Sequence, residues 1–140
     1  MAKKTANVEL TAQGEARLMR TAEEMCERAY APYSGFKVGA AILTDDGRVF
    51  TGCNVENGSY GCCICAERTA AVKAVSEGAL KFRAAAVANA GGGLTYPCGI
   101  CLQFMSEFAE DGFCIIMREK SGNIVSHPID ELLPRGFKLR

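Results

Sequence analysis

Two short segments carry side chains suited to metal chemistry: Cys65-Ala66-Glu67, and Cys98-Gly99-Ile100-Cys101 with Pro97 before it. Together they offer three thiols and one carboxylate. Zinc binds thiolates readily, and three protein ligands leave its fourth tetrahedral position to water, the arrangement of a catalytic rather than a structural site. Glu67 lies two residues past the first thiol, where it can face such a water and move protons without binding the metal. The candidate site is therefore one Zn²⁺ on Cys65, Cys98 and Cys101, with Glu67 as proton shuttle. Three thiolates around Zn²⁺ carry a net charge of about −1, and Arg68 is placed to donate to a cysteine sulfur and offset it.

The same residues admit other readings. A CxxC pair at a helix start can be a redox dithiol, although that chemistry has no use for Cys65 or Glu67. A structural four-cysteine zinc site would recruit Cys62 or Cys63. Otherwise Cys62 and Cys63, like Cys26, Cys53 and Cys114, read as buried or pocket-wall thiols. His127 is the only histidine and adjoins Pro128, so it reads as a surface or packing residue, and any Ser–His or Cys–His nucleophile would rest on it alone.

Both metal segments open helix-like runs, and helix amino termini favour thiolate over thiol. The spacing predicts helices from Thr11 to about Ala29, Ile64 to Ser76 and Cys98 to Glu110, the last stopped near Gly112. Strands are expected at Val38–Leu43, Arg48–Asn54, 84–89, Phe113–Met117 and Asn123–Ser126, with a hairpin turn at Thr44-Asp45-Asp46-Gly47. One more helical turn is expected within Pro128–Leu133, and Gly91–Gly93 is the most flexible stretch. The order α-β-β-α-β-α-β-β contains two strand–helix–strand units, which imply a parallel central portion. The final link is too short for a crossover, so the last strand should be antiparallel. Residues 1–10 read as a flexible lead and 11–140 as one domain.

The bulk composition narrows the partners. Sixteen basic residues balance sixteen acidic ones, which leaves no electrostatic footprint for a nucleic acid. No apolar run reaches membrane-spanning length and the amino terminus has no signal-peptide pattern. Eight cysteines within patterned helices and strands read as reduced thiols, hence a cytoplasmic protein acting on a small molecule.

Cys-x-Glu followed by Pro-Cys-x-x-Cys is the zinc-deaminase pattern, and the surrounding residues extend the likeness. From about Leu10 to Phe137 the chain resembles the small homotetrameric cytidine deaminases. The segments that carry it are Ala31-Pro32-Tyr33-Ser34 with 36–41, Gly52-Cys53-Asn54-Val55-Glu56-Asn57, 65–70, 97–101, and Glu131-Leu132-Leu133-Pro134 with Phe137. The resemblance implies a three-layer α/β fold with a mixed five-stranded sheet. It implies hydrolysis of cytidine and 2′-deoxycytidine to the uridines in pyrimidine salvage, by attack of zinc-activated hydroxide on C4 with Glu67 moving the protons. It implies that Asn54 and Glu56 bind ribose hydroxyls, that Phe36 lies beside the base, and that backbone around Ala66 reads the pyrimidine edge. Tyr60 and Phe137 would reach into a neighbouring subunit's pocket. Two positions depart from the pattern: Leu102 stands where arginine is common, and Tyr96, where a small residue is usual, is expected to narrow or reshape the pocket. A deaminase of blasticidin-type aminonucleosides and a non-catalytic zinc-stabilised binding protein are the alternatives, and an editing deaminase of nucleic acids is disfavoured by the neutral charge.

Overall fold

A computed structural model describes residues 10–139; most of the expected lead, residues 1–9, lies outside the described residues. Helix α1 (Ala12–Met25) starts where expected, with the Thr11 hydroxyl accepting the Gly14 N–H at 3.1 Å, the usual way a side chain satisfies an unpaired helix-start donor. It buries Leu18, Met19 and Ala22 and passes into a short 3₁₀ turn, Cys26–Arg28. Strands β1 (Val38–Thr44) and β2 (Val49–Cys53) form the expected hairpin. Then follow α2 (Ala66–Ser76), β3 (Phe82–Asn89), α3 (Gly99–Ser106), β4 (Ala109–Arg118), β5 (Ile124–Pro128) and α4 (Ile129–Leu132).

The five strands make one sheet in the order β2-β1-β3-β4-β5. Only β3 and β4 pair in parallel; the other neighbours, including the last strand, are antiparallel. The first strand–helix–strand unit runs from β2 to β3 with β1 between them, so both of those strands pair antiparallel with β1.

Side chains alternate across the sheet and fill two separate cores. On one face Ala41, Leu43, Ala84, Ala86, Ala88 and Ile116 pack under α1. On the other, Ala40, Ile42, Ala85, Val87, Ile115 and Met117 pack under α2, α3 and α4. The result is the expected three layers, with α1 alone on one side. Small residues let the helices approach closely. A Cβ on Gly52 would sit 2.3 Å from the Ala66 carbonyl oxygen and 2.5 Å from the Ala70 nitrogen, so β2 and the first turn of α2 are nearly in backbone contact.

Most boundaries shift by a few residues from the sequence reading, and the end of α3 with the start of β4 is the shift that changes an element's meaning. Helix α3 ends at Ser106 rather than Glu110, and Ala109 already pairs with Phe82 of β3. Between that pair and Ala84↔Cys114 the register shifts, and Gly112 takes φ +84° inside this irregularity. Its left-handed backbone marks a bulge, not the helix stop that the sequence suggested. Phe104, Phe108, Phe82 and Phe113 stack along this corner, with successive ring centroids 5.2–6.5 Å apart, and their packing turns the chain from helix to strand.

Candidate metal centre and substrate surface

Cys65 and Cys98 are the N-cap residues of α2 and α3, and Cys101 lies in the first turn of α3. Both caps have extended backbone and neither sulfur caps its helix's backbone N–H groups, so each thiol is left to face the other segment. The Sγ atoms of Cys65 and Cys98 are 3.8 Å apart, and all three sulfurs lie within 4.8 Å of one another. Zn–S bonds of about 2.3 Å in a tetrahedron put sulfurs about 3.8 Å apart, so the donor set fits zinc both in chemistry and in spacing. No other group of three potential ligands occurs among the described residues.

The cluster is charged unevenly. Cys65 is held down to about 5, chiefly by a hydrogen bond from the Cys101 thiol and then by bonds from Arg68 and Cys98. Cys101 is pushed up because it shares its proton with Cys65 and is buried. The Arg68 guanidinium donates to Cys65 Sγ at 3.6 Å, and bonding to the two sulfurs raises its own pKa. Glu67 is only 4% exposed. Burial, and then the Cys65 charge, push its carboxyl up, while the Cys101 thiol bonds to it and opposes that shift. A carboxyl shielded from water beside a thiolate holds a proton more readily than an ordinary glutamate.

Neither Cys62 nor Cys63 joins the cluster. Cys63 Sγ instead accepts the Asn57 N–H at 3.3 Å, which removes the observation that a four-cysteine site would need. Cys63 lines a pocket of about 320 Å³ with Tyr33, Ser34, Glu56 and Tyr60. Paired backbone bonds between Val55 and Ile64, both 2.9 Å, bring Glu56 back beside the strand of chain that enters Cys65. Larger depressions lie under α4 and between α1 and the hairpin. None of the three contains a zinc-cluster residue, and the smallest of them is lined by Cys63, two residues before Cys65 in the chain.

Asn54 and Glu56 are not free. Asn54 Nδ2 donates to the Phe36 carbonyl at 2.7 Å and its Oδ1 accepts the Val38 N–H at 2.8 Å. Glu56 accepts from the Tyr33 and Ser34 backbone and from the Ser34 hydroxyl. Ala66 is fully buried between Cys65 and Glu67. Phe36, Tyr60 and Phe137 are 54, 75 and 64% exposed. Phe137 is fastened to α3 two residues beyond Cys101: Gln103 Nε2 donates to its carbonyl at 2.6 Å and Gln103 Oε1 accepts its N–H at 3.0 Å. Ser34 and Gln103 had no assigned role in the sequence reading, since each acts on a residue more than twenty positions away. Of the departures, Leu102 is buried in the core, and the exposed Tyr96 ring lies 6.0 Å from that of His127. His127 lies 3.2 Å from the exposed Glu131 carboxylate, within the surface or packing role expected of it.

The family described as the cytidine and deoxycytidylate deaminase zinc-binding region matches residues 12–117. The chain belongs to that family. A probable cytidine deaminase of Dictyostelium discoideum is 51% identical over 117 residues, which cover 83% of this chain and 78% of that protein. The cytidine deaminase of Sporosarcina psychrophila is 41% identical over 121 residues, 86% of this chain and 89% of that one. The crystal structure of the cytidine deaminase from Burkholderia pseudomallei matches with a TM-score of 0.78 at 44% identity, over 87% of this chain and 98% of that one. Membership of this deaminase family and the three-thiol cluster together make zinc the cofactor.

Proposed function

We propose that this chain hydrolyses cytidine and 2′-deoxycytidine to uridine and 2′-deoxyuridine with release of ammonia. The observation that carries the reading is the buried Glu67 carboxyl, two residues from Cys65 of the three-thiol cluster. Zinc on Cys65, Cys98 and Cys101 supplies Lewis acidity, which brings the ionisation of water towards neutral pH. Glu67 takes a proton from the attacking water and delivers it to N3 as the oxygen bonds to C4; it then takes the proton of the new C4 hydroxyl and passes it to the amine, whose C4–N bond breaks, so that water is consumed and ammonia leaves. Its upward-shifted carboxyl suits both halves of that task. Arg68, donating to Cys65, offsets the excess negative charge of the cluster. Phe36 covers the base, backbone around Ala66 reads its edge, and Asn54 and Glu56 bind the sugar.

The functional unit is a homotetramer of single-domain chains (residues 11–140) in which Tyr60 and Phe137 complete a neighbour's pocket. Exposed apolar side chains support this. Tyr30 bridges to Val55 and Val55 to Ile64, Tyr33 packs on Tyr60, and all five are exposed. A linked patch of this kind marks an interface. The thiol ligands suit a reducing compartment, and the nucleoside pool of the cytoplasm is the proposed setting.

The test is turnover by zinc-loaded protein of cytidine, 2′-deoxycytidine, cytosine and blasticidin S, followed by ultraviolet absorbance and released ammonia. The first two should be consumed. Failure of both with zinc bound sinks the proposal, and light scattering at the monomer mass would sink the tetramer.

A further inference from the structure

Residues 32–37 are all exposed, so no apolar core holds the loop that carries Phe36. Hydrogen bonds hold it instead, and Ser34 is their hub. Its hydroxyl donates to Glu56 Oε2 at 2.5 Å and accepts the Phe36 N–H at 3.0 Å. Its own N–H donates to Glu56 Oε1 at 3.1 Å, beside the Tyr33 N–H at 2.9 Å.

A carboxylate has about four acceptor positions. Both at Oε1 are taken and one at Oε2 is taken, so the remaining position lies on the oxygen that Ser34 orients. Phe36 does not depend on Ser34 alone, because Asn54 separately holds its carbonyl.

We propose that Ser34 is a positioning residue for sugar recognition: its hydroxyl fixes Glu56 Oε2 so that the last acceptor position meets a ring hydroxyl of the nucleoside. The inference rests on the deaminase reading and adds to it a residue that touches no substrate. Without the hydroxyl Oε1 keeps its two backbone bonds but Oε2 loses its Ser34 partner, so the oxygen that meets the sugar is less firmly fixed and part of its binding energy is lost to ordering. The base-side contact remains, since the Asn54–Phe36 bond is untouched.

The experiment compares Ser34→Ala and Ser34→Thr in the zinc-loaded full-length protein. It measures KM and kcat for cytidine, and the inhibition constant of 2′,3′-dideoxycytidine, which has the same base but no ring hydroxyl. Losing the orienting partner of a charged acceptor should raise KM for cytidine about tenfold. The turnover number should stay within about twofold, and Ser34→Thr, which keeps a hydroxyl, should restore KM. Inhibition by the dideoxy compound should change less than about threefold. An equal loss for both compounds would show general damage to the loop and overturn the proposal, as would an unchanged or lower KM for cytidine. Absence of cytidine turnover by the unsubstituted protein is a different result: it removes the deaminase reading, and this inference with it.

Discussion

The close approach of β2 to α2 makes Gly52→Ala an informative substitution, because the added methyl meets only backbone. Its Cβ would start 2.3 Å from the Ala66 carbonyl oxygen and 2.5 Å from the Ala70 nitrogen. Ordinary contact needs about 3.3 Å, so helix and strand must separate by about 1 Å. No side chain can rotate away to relieve the contact. Overpacking typically costs 1–3 kcal/mol, and a backbone-only clash belongs at about 3 kcal/mol. For a chain of this length that lowers Tm by about 10 °C. The displaced residue, Ala66, lies between Cys65 and Glu67, so the separation moves the carboxyl relative to the thiols. A misplacement of about 1 Å at reacting groups costs about 100-fold in rate. The assays are urea or thermal unfolding of zinc-loaded protein and steady-state turnover of cytidine. Gly61→Ala serves as the stability control, since its Cβ would meet nothing within 4 Å. If Gly52→Ala melted within about 2 °C of the parent and kept its turnover within twofold, the contact would not be what sets the thiol–carboxylate geometry.

Three further outcomes are expected. Glu67→Gln should lower cytidine turnover by about 10²–10⁴-fold while metal analysis still finds about one zinc per chain; loss of zinc would make Glu67 a ligand and end its role as shuttle. Gln103→Ala, which removes both bonds to the Phe137 backbone, should raise KM for cytidine about tenfold with little change in kcat; an unchanged KM would detach Phe137 from the pocket. Asp46 is held below its ordinary value of 3.8 by the Thr44 hydroxyl and then by Arg48. A depressed folded pKa gives stability that is present above 3.8 and lost as pH falls through the lower folded value, so the stability gap between parent and Asp46→Asn should close in acid, as urea melts from pH 7 to pH 2.5 would show. A gap that widened in acid would reverse the assigned sign. Because the Asp46–Arg48 pair is partly exposed, 27% and 46% for the two side chains, solvent screening keeps the gap small at any pH.

The site has two halves, and they differ in how far the sequence reveals them. In the metal half, Cys65 and Glu67, and Cys98 and Cys101, are near neighbours in the chain, and a helix start fixes each pair locally. Spacing alone therefore carries their geometry, and the three-layer arrangement needs only to bring two helix starts together. The hairpin turn and the antiparallel last strand are legible for the same reason, being set by a few consecutive residues. The end of α3 is not. Gly112 serves a helix stop and a strand bulge equally well, and the choice is made by Phe82, distant in sequence, stacking on Phe108 and Phe113. The proposed sugar and neighbour contacts are non-local in the same way. Ser34 and Glu56 are 22 residues apart, and Gln103 and Phe137 are 34 apart, with no periodicity to link either pair. The resemblance could name Asn54 and Glu56 as sugar ligands, but not that the protein already uses both to hold the Phe36 loop. That double use has a physical consequence. Residues that bind substrate only after giving up internal bonds lose affinity in the exchange, whereas Asn54 and Glu56 each keep an unused hydrogen-bonding position, so under the proposed sugar contacts the loop would stay latched while the nucleoside binds.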